Sequence, residues 1–175
     1  PPVNLKCHPG HLSPAIEHVA VSIARAGSGL SLVYEVQGRV DQLRLSTGER
    51  GVRRDELWQT TCFELFARGG GSGRYIEYNF SPGGDWAAYA FEAYREGGRD
   101  LPSAPPEIAT RQTDNDLRVT VSLPGLPPHI ASEPLYLGPS AILETVDGQR
   151  SFWALDHLGE APDFHRANSF NLKLD

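Results

Sequence analysis

The sequence predicts an all-β fold, an antiparallel β-sandwich, on three observations. Turn-forming residues recur about every ten positions. Glycine and proline are abundant, at 18 and 14 of 175 residues. The segments between the turns alternate apolar and polar residues instead of following a helical period. A chain of this length fits one domain of roughly 100–200 residues, so a single domain over residues 1–175 is expected, with a core that needs no staples.

Taken in order, residues 18–25 alternate, with Val19, Val21 and Ile23 on one face. Gly27-Ser28-Gly29 turns the chain into a strand over 30–36, and 40–45 reads as another. Residues 48–55 are charged and contain glycine, and read as a loop. The centre is clearest. A strand over 61–68, the flexible link Gly69-Gly70-Gly71-Ser72-Gly73, a strand over 75–81, the turn Pro82-Gly83-Gly84-Asp85 and a strand over 86–94 make a three-stranded meander. A surface loop is expected over 97–106. Residues 107–112 and 117–123 form a hairpin, and 124–134 is a proline-rich crossover with one helical turn. Asp147-Gly148 joins strands over 135–146 and 151–155. Residues 156–169 read as a polar loop before a last short strand over 170–174. There is no internal repeat.

The net charge is −6, and Lys6 and Lys173 are the only lysines among sixteen basic residues. This balance argues against a nucleic-acid partner, which needs a clustered basic surface. Membrane insertion is not expected, since no apolar run approaches the roughly 18 residues of a span. The first residues lack a signal-peptide pattern, so a cytoplasmic location is expected. Cys7 and Cys62 lie far apart and read as two reduced thiols, with a single disulfide the alternative. Composition leaves the oligomeric state open.

Alternation also sorts candidate chemistry by face. In 61–68, Phe63, Leu65 and Ala67 oppose Cys62, Glu64 and Phe66. In 75–81, Ile76, Tyr78 and Phe80 oppose Tyr75, Glu77, Asn79 and Ser81. One face is core. The other mixes carboxylates, an amide and aromatics. It is either an ordinary wetted face or a binding surface, where hydroxyls of a sugar meet Glu64, Glu77 and Asn79 while its C–H faces stack on aromatics. Trp86, Tyr94 and Trp153 are candidate platforms and Arg95 a candidate donor. Taken singly, each of these aromatics is better suited to core or hairpin packing than to a platform, because large aromatics bury well. Glu64 and Glu77 also invite a glycosidase reading, for which carboxyl separations of about 5–5.5 or 6.5–9.5 Å are required. His157 and His165 flank Asp163 in the C-terminal loop and are candidate ligand or metal contacts. His8 and His11 read as exposed loop histidines. There is no phosphate loop and no nucleophile elbow.

The runs Leu57-Trp58-Gln59-Thr60-Thr61-Cys62-Phe63-Glu64, Tyr75-Ile76-Glu77-Tyr78-Asn79-Phe80-Ser81-Pro82, Gly84-Asp85-Trp86-Ala87-Ala88-Tyr89, Tyr94-Arg95, Phe152-Trp153-Ala154-Leu155 and Pro162-Asp163-Phe164-His165, with His157, are specific. Together with Leu5 and His8-Pro9 they resemble bacterial DOMON-like domain proteins, related to carbohydrate-binding module family nine. The resemblance spans essentially the whole chain. It implies an immunoglobulin-like or jelly-roll β-sandwich; related modules bind sugars, with calcium in some, and other DOMON domains bind haem. Met/His haem ligation is not available to a chain without methionine, which leaves bis-His ligation by His157 and His165.

Three functions follow as expectations. The first is a non-catalytic binding module for a saccharide or similar polyhydroxylated molecule, centred on Glu64, Glu77, Asn79 and Trp86. The second is a haem or metal module using His157 and His165. The third is a structural or protein-interaction domain in which Trp58, Cys62 and Trp86 are core. Catalysis ranks behind all three.

Overall fold

The computed structural model describes residues 1–46, 51–71, 73–131 and 134–175. Residues 48–50 of the loop expected over 48–55, residue 72 of the 69–73 link and residues 132–133 of the 124–134 crossover lie outside the described residues. Twelve strands are present among those described: β1 (Val3–Cys7), β2 (Ile16–Ala26), β3 (Gly29–Gly38), β4 (Cys62–Gly69), β5 (Tyr75–Phe80), β6 (Trp86–Phe91), β7 (Arg99–Asp100), β8 (Glu107–Gln112), β9 (Asp116–Leu123), β10 (Leu135–Glu144), β11 (Arg150–Ala154) and β12 (Leu172–Leu174). The single α-helical turn among them, α1 (Pro128–Ala131), falls in the proline-rich crossover.

Among the described residues the paired strands are antiparallel, with one isolated parallel bridge between Arg53 and Trp86, and they form one curled sheet in the order β7-β6-β5-β4-β10-β11-β1-β2-β3-β9-β8, with β12 also beside β10. The join between its two arms is β1. Val3–Leu5 of β1 pair with β2, whereas Lys6 and Cys7 pair with β11. The arms share one core. Val19, Val21, Leu32, Tyr34 and Val121 from one arm pack in the same cluster as Phe63, Leu65, Ile76, Tyr78 and Phe80 from the other. The hydroxyl of Tyr34, fully buried on β3, donates to the backbone carbonyl of Glu64 on β4 at 2.5 Å, a polar tie between the arms.

The two arms bury their strands differently. β9 alternates strictly between exposed and buried positions, as a strand with one wetted face should. β4 and β5 are buried on both faces. The mixed face of the central meander is therefore covered, and a wetted face is ruled out for these two strands. Its cover comes from the C-terminal segment and from a 3-10 turn at Leu57–Gln59. Phe164 and Phe170 pack with Phe66, Tyr75, Ile142 and Ala154, and Leu57 packs with Cys62 and Ala87. Gly138 on β10 makes the approach of Phe170 possible: a Cβ there would lie 2.8 Å from the Phe170 ring and 2.9 Å from the Ser169 carbonyl oxygen.

Several elements differ from expectation. Residues 40–45 do not form a strand; Val40–Gln42 is a 3-10 turn. Val40 and Leu43 are both buried, and a three-residue spacing puts them on one side of a tight turn but on opposite faces of a strand. Part of the 97–106 loop is the short edge strand β7, paired with Tyr89 and Ala90. The last strand is shorter than expected, because Phe170 turns inward to the second cluster. Both cysteines are free thiols, with Cys62 buried.

Tyr34→Phe leaves the core volume intact but strips the Glu64 carbonyl of this donor. The variant is expected to be about 1–3 kcal/mol less stable in chemical denaturation. Unchanged stability would show that the hydroxyl does not tie the arms together.

Candidate functional site

The covered face holds the candidate site. Register sets Glu64 opposite Asn79 and Phe66 opposite Glu77, so the two carboxylates sit diagonally across the β4–β5 pair. Diagonal positions lie roughly 7–8 Å apart, within reach for long side chains. The same rows run on to Tyr89 of β6, opposite Glu77, and to Ser140 of β10, opposite Glu64. Above them is a cavity of about 570 Å³. Its floor carries Glu64 and Glu77. Its walls are Phe66, Phe91, Ile142, Phe152, Phe164 and the half-exposed Trp58, with Arg95, Asp163 and His165 along one side and Arg150 along another.

One carboxylate holds that side together. Asp163 accepts from the Tyr94 hydroxyl, from Arg95 at 2.9 Å, from Arg166 at 3.2 Å and from the backbone N–H of His165 at 3.1 Å. Burial opposes its ionisation, but the hydrogen bonds from Tyr94 and Arg95 and the charge of Arg95 win, and hold its pKa down to about 2. Arg95 itself has a left-handed backbone, φ 54, which turns its N–H onto the Tyr75 hydroxyl at 3.0 Å. That hydroxyl has its own proton left for Nδ1 of His165 at 2.8 Å. The ring proton of His165 then sits on Nε2, 4.0 Å from a carboxylate oxygen of Glu77.

Burial dominates the electrostatics of the floor. It pushes Glu77 up to about 7, against the pull of Arg95. It pushes Glu64 well above the carboxylate range, and the charge of Glu77 adds to this while the Ser140 hydroxyl at 3.4 Å opposes it. Burial and then Arg95 push His165 down to about 4, against Asp163. At neutral pH the cavity therefore presents a neutral imidazole beside Glu77, which changes charge in this range, and Glu64, which burial holds toward its protonated form.

The chain matches no family model and no curated protein. It does match a solved structure. This is a protein of Bacteroides uniformis described as a "putative carbohydrate-binding protein", with TM-score 0.61 and 15% identity over 88% of this chain and 76% of that one. At that identity the likeness shows the all-β fold.

Of the residues singled out from sequence, the structure brings Glu64, Glu77, Arg95 and His165 to one cavity, and Tyr94 to its margin through Asp163. Asn79 is wholly buried in the row of Glu64, and both its amide atoms are without a partner among the described residues. Trp86 and Trp153 are elsewhere. Trp86 pairs with Phe80 and Trp153 with Ala141, so both face the main core and neither can serve as a stacking platform in this cavity. His157 packs against His8, 5.0 Å between ring centroids, and its Nε2 is bonded to the Lys6 carbonyl at 2.7 Å. His8 is itself buried, with Nε2 on the Gly159 carbonyl, so it is not an exposed loop residue. His157 and His165 thus serve different neighbourhoods. Among the described residues no group of three or more His, Cys, Asp or Glu could hold a metal ion.

Trp58, which a purely structural domain would place in the core, is instead a half-exposed wall of the cavity. Of the aromatic walls, Phe66 shares the parity of Glu64 within one strand, and that parity is the available signal. Phe91 depends, as Trp86 does, on the turn before β6, and Phe164 lies in a run that resemblance marks but no periodicity places.

The raised carboxyls have a measurable consequence for stability. Glu64 and Glu77 bind protons more tightly folded than unfolded, so their contribution is complete below the ordinary value of 4.5 and is lost as pH rises, for Glu77 through about 7. The change at Glu77 is worth about 3 kcal/mol. His165 has the opposite sign: its contribution is present above 6.5 and is lost as pH falls toward about 4. Between pH 6.5 and 8 the carboxyl effect stands alone of these. Melting temperature should therefore fall over that interval, and Glu77→Gln, neutral throughout, should flatten part of the fall. A wild-type profile with no decline would contradict the burial of these acids.

Proposed function

We propose that the protein is a non-catalytic binding module for a saccharide or similar polyhydroxylated small molecule, and that the cavity over β4, β5 and β10 is its site. The observation that carries this is the pair of buried carboxyls under aromatic walls in a cavity of about 570 Å³, a size typical of small-molecule sites. Aromatic rings suit the C–H faces of a sugar. Glu64, Glu77, Arg95 and His165 supply acceptors and donors for its hydroxyls, which must be matched because a buried polar group left unpaired is costly. The description of the Bacteroides neighbour lends support from outside the chain. From the sequence runs that resemble them, we propose further that the fold is one of the DOMON-like β-sandwiches related to carbohydrate-binding module family nine.

Calorimetric titration with a panel of neutral and amino monosaccharides and disaccharides tests the proposal. At least one member should bind. Trp58→Ala should weaken it about tenfold, or about 1.4 kcal/mol, with little change in the melting temperature of the free protein because Trp58 is half-exposed. No binding across the panel would overturn the proposal, and release of reducing ends from glycosides would make the protein a hydrolase instead.

A further inference from the structure

The cavity is unusual in what its carboxyls lack. Among the described residues the Glu64 side chain has one hydrogen-bond partner, the Ser140 hydroxyl at 3.4 Å, and no cationic partner. Glu77 has His165 at 4.0 Å, and the charge of Arg95 acts on it without forming a contact ion pair among the described residues. The two arginines that line the cavity pair with other groups and form no ion pair with Glu64 or Glu77 among the described residues, although each keeps N–H donors for a ligand. Arg95 is bound by Asp163 at 2.9 Å, and Arg150 donates to the Gln59 carbonyl at 3.4 Å and lies 5.6 Å over the Phe152 ring. A buried carboxylate without a countercharge is strongly disfavoured, and the shortfall is made good by protonation or by an incoming cation.

We infer that the ligand of this cavity is a cation, a polyhydroxylated amine whose ammonium group is taken by Glu64 and Glu77 beneath the aromatic walls. This rests on the saccharide-type site proposed above and narrows its ligand class. The walls suit such a group, since the faces of Trp58, Phe66, Phe91 and Phe152 attract organic cations at short range. An organic cation is favoured over a metal ion, since among the described residues no group of three or more His, Cys, Asp or Glu is placed to hold one. The other titratable groups around the pair supply no positive charge. Burial raises Tyr89 on β6, Tyr75 on β5 and Cys62 on β4 above their ordinary values, which keeps them neutral, and the hydroxyl of Tyr89 is spent on Asp55 at 2.7 Å. Asp163 is ionised but answered by Arg95 and Arg166.

The inference carries a proton linkage. An ammonium group favours the ionised acid pair, so binding expels a proton, and affinity rises with pH through the range where Glu77 ionises, about 7.

The test is calorimetric titration of the full chain at pH 6, 7 and 8 with N-methylglucamine against its neutral counterpart sorbitol, and with glucosamine against glucose. N-methylglucamine stays protonated across this range. It should bind about tenfold or more tightly than sorbitol at pH 8, with the ratio shrinking toward pH 6. Heats in two buffers of different ionisation enthalpy should report proton release on binding. Glu77→Gln should bring the ratio close to one. Should that variant fail to fold, proton release by the wild-type protein decides. Equal affinity within both pairs, or a ratio that survives Glu77→Gln, would overturn the inference and leave the saccharide site standing; binding by none of the four, nor by the wider sugar panel, would overturn both.

Discussion

The carboxylate of Asp163 takes donors from Tyr94, Arg95, Arg166 and the chain's own backbone, and through them fixes the C-terminal segment against the turn that follows β6. Much else depends on that attachment. It carries Phe164 and His165 over the second face of β4 and β5, where Phe164 packs with Phe66 and Ile142. It occupies Arg95, the strongest cation near Glu77. The result is a face dry enough to raise two carboxyls and open enough to leave a cavity above them. The latch itself lies partly in solvent, where a single ion pair contributes little; its strength comes from several donors converging on one acceptor.

The central meander was legible because its signals are local. Alternation in β4 and β5 fixed which residues share a face, and Glu64 and Glu77 were correctly paired on that ground. Trp86 was not, because its parity relative to β5 depends on the length of the turn at 82–85, and a change of one residue there exchanges the two faces of a strand. The turn places Trp86 opposite Phe80, on the core side. The cover over the second face was not legible at all. Phe164 and Phe170 lie about a hundred positions from Phe66 in sequence, and nothing in a polar loop announces which strand it will cross. The strand β1 escaped for a related reason: it is short and divides its pairing between β2 and β11, so its role as the join between the arms exists only in three dimensions.

A domain held together by its main core has no need of carboxyls such as these. Tyr34, Phe63, Leu65, Tyr78 and Phe80 fill that core without them, and apolar residues at the positions of Glu64 and Glu77 would avoid the cost of burying an ionisable group. In the binding site we propose, two acids on a covered face, beside an Asn79 whose amide atoms find no partner among the described residues, trade stability for recognition.

The most direct test of this account is a carbon-13 NMR titration of the glutamate carboxyl groups in the free protein, assigned with Glu64→Gln and Glu77→Gln. The account requires the Glu77 resonance to titrate at about 7 and that of Glu64 to stay protonated well above the ordinary carboxylate range. Midpoints between about 4 and 5 for both would mean that the floor of the cavity is wet and that the acid pair is an ordinary polar surface.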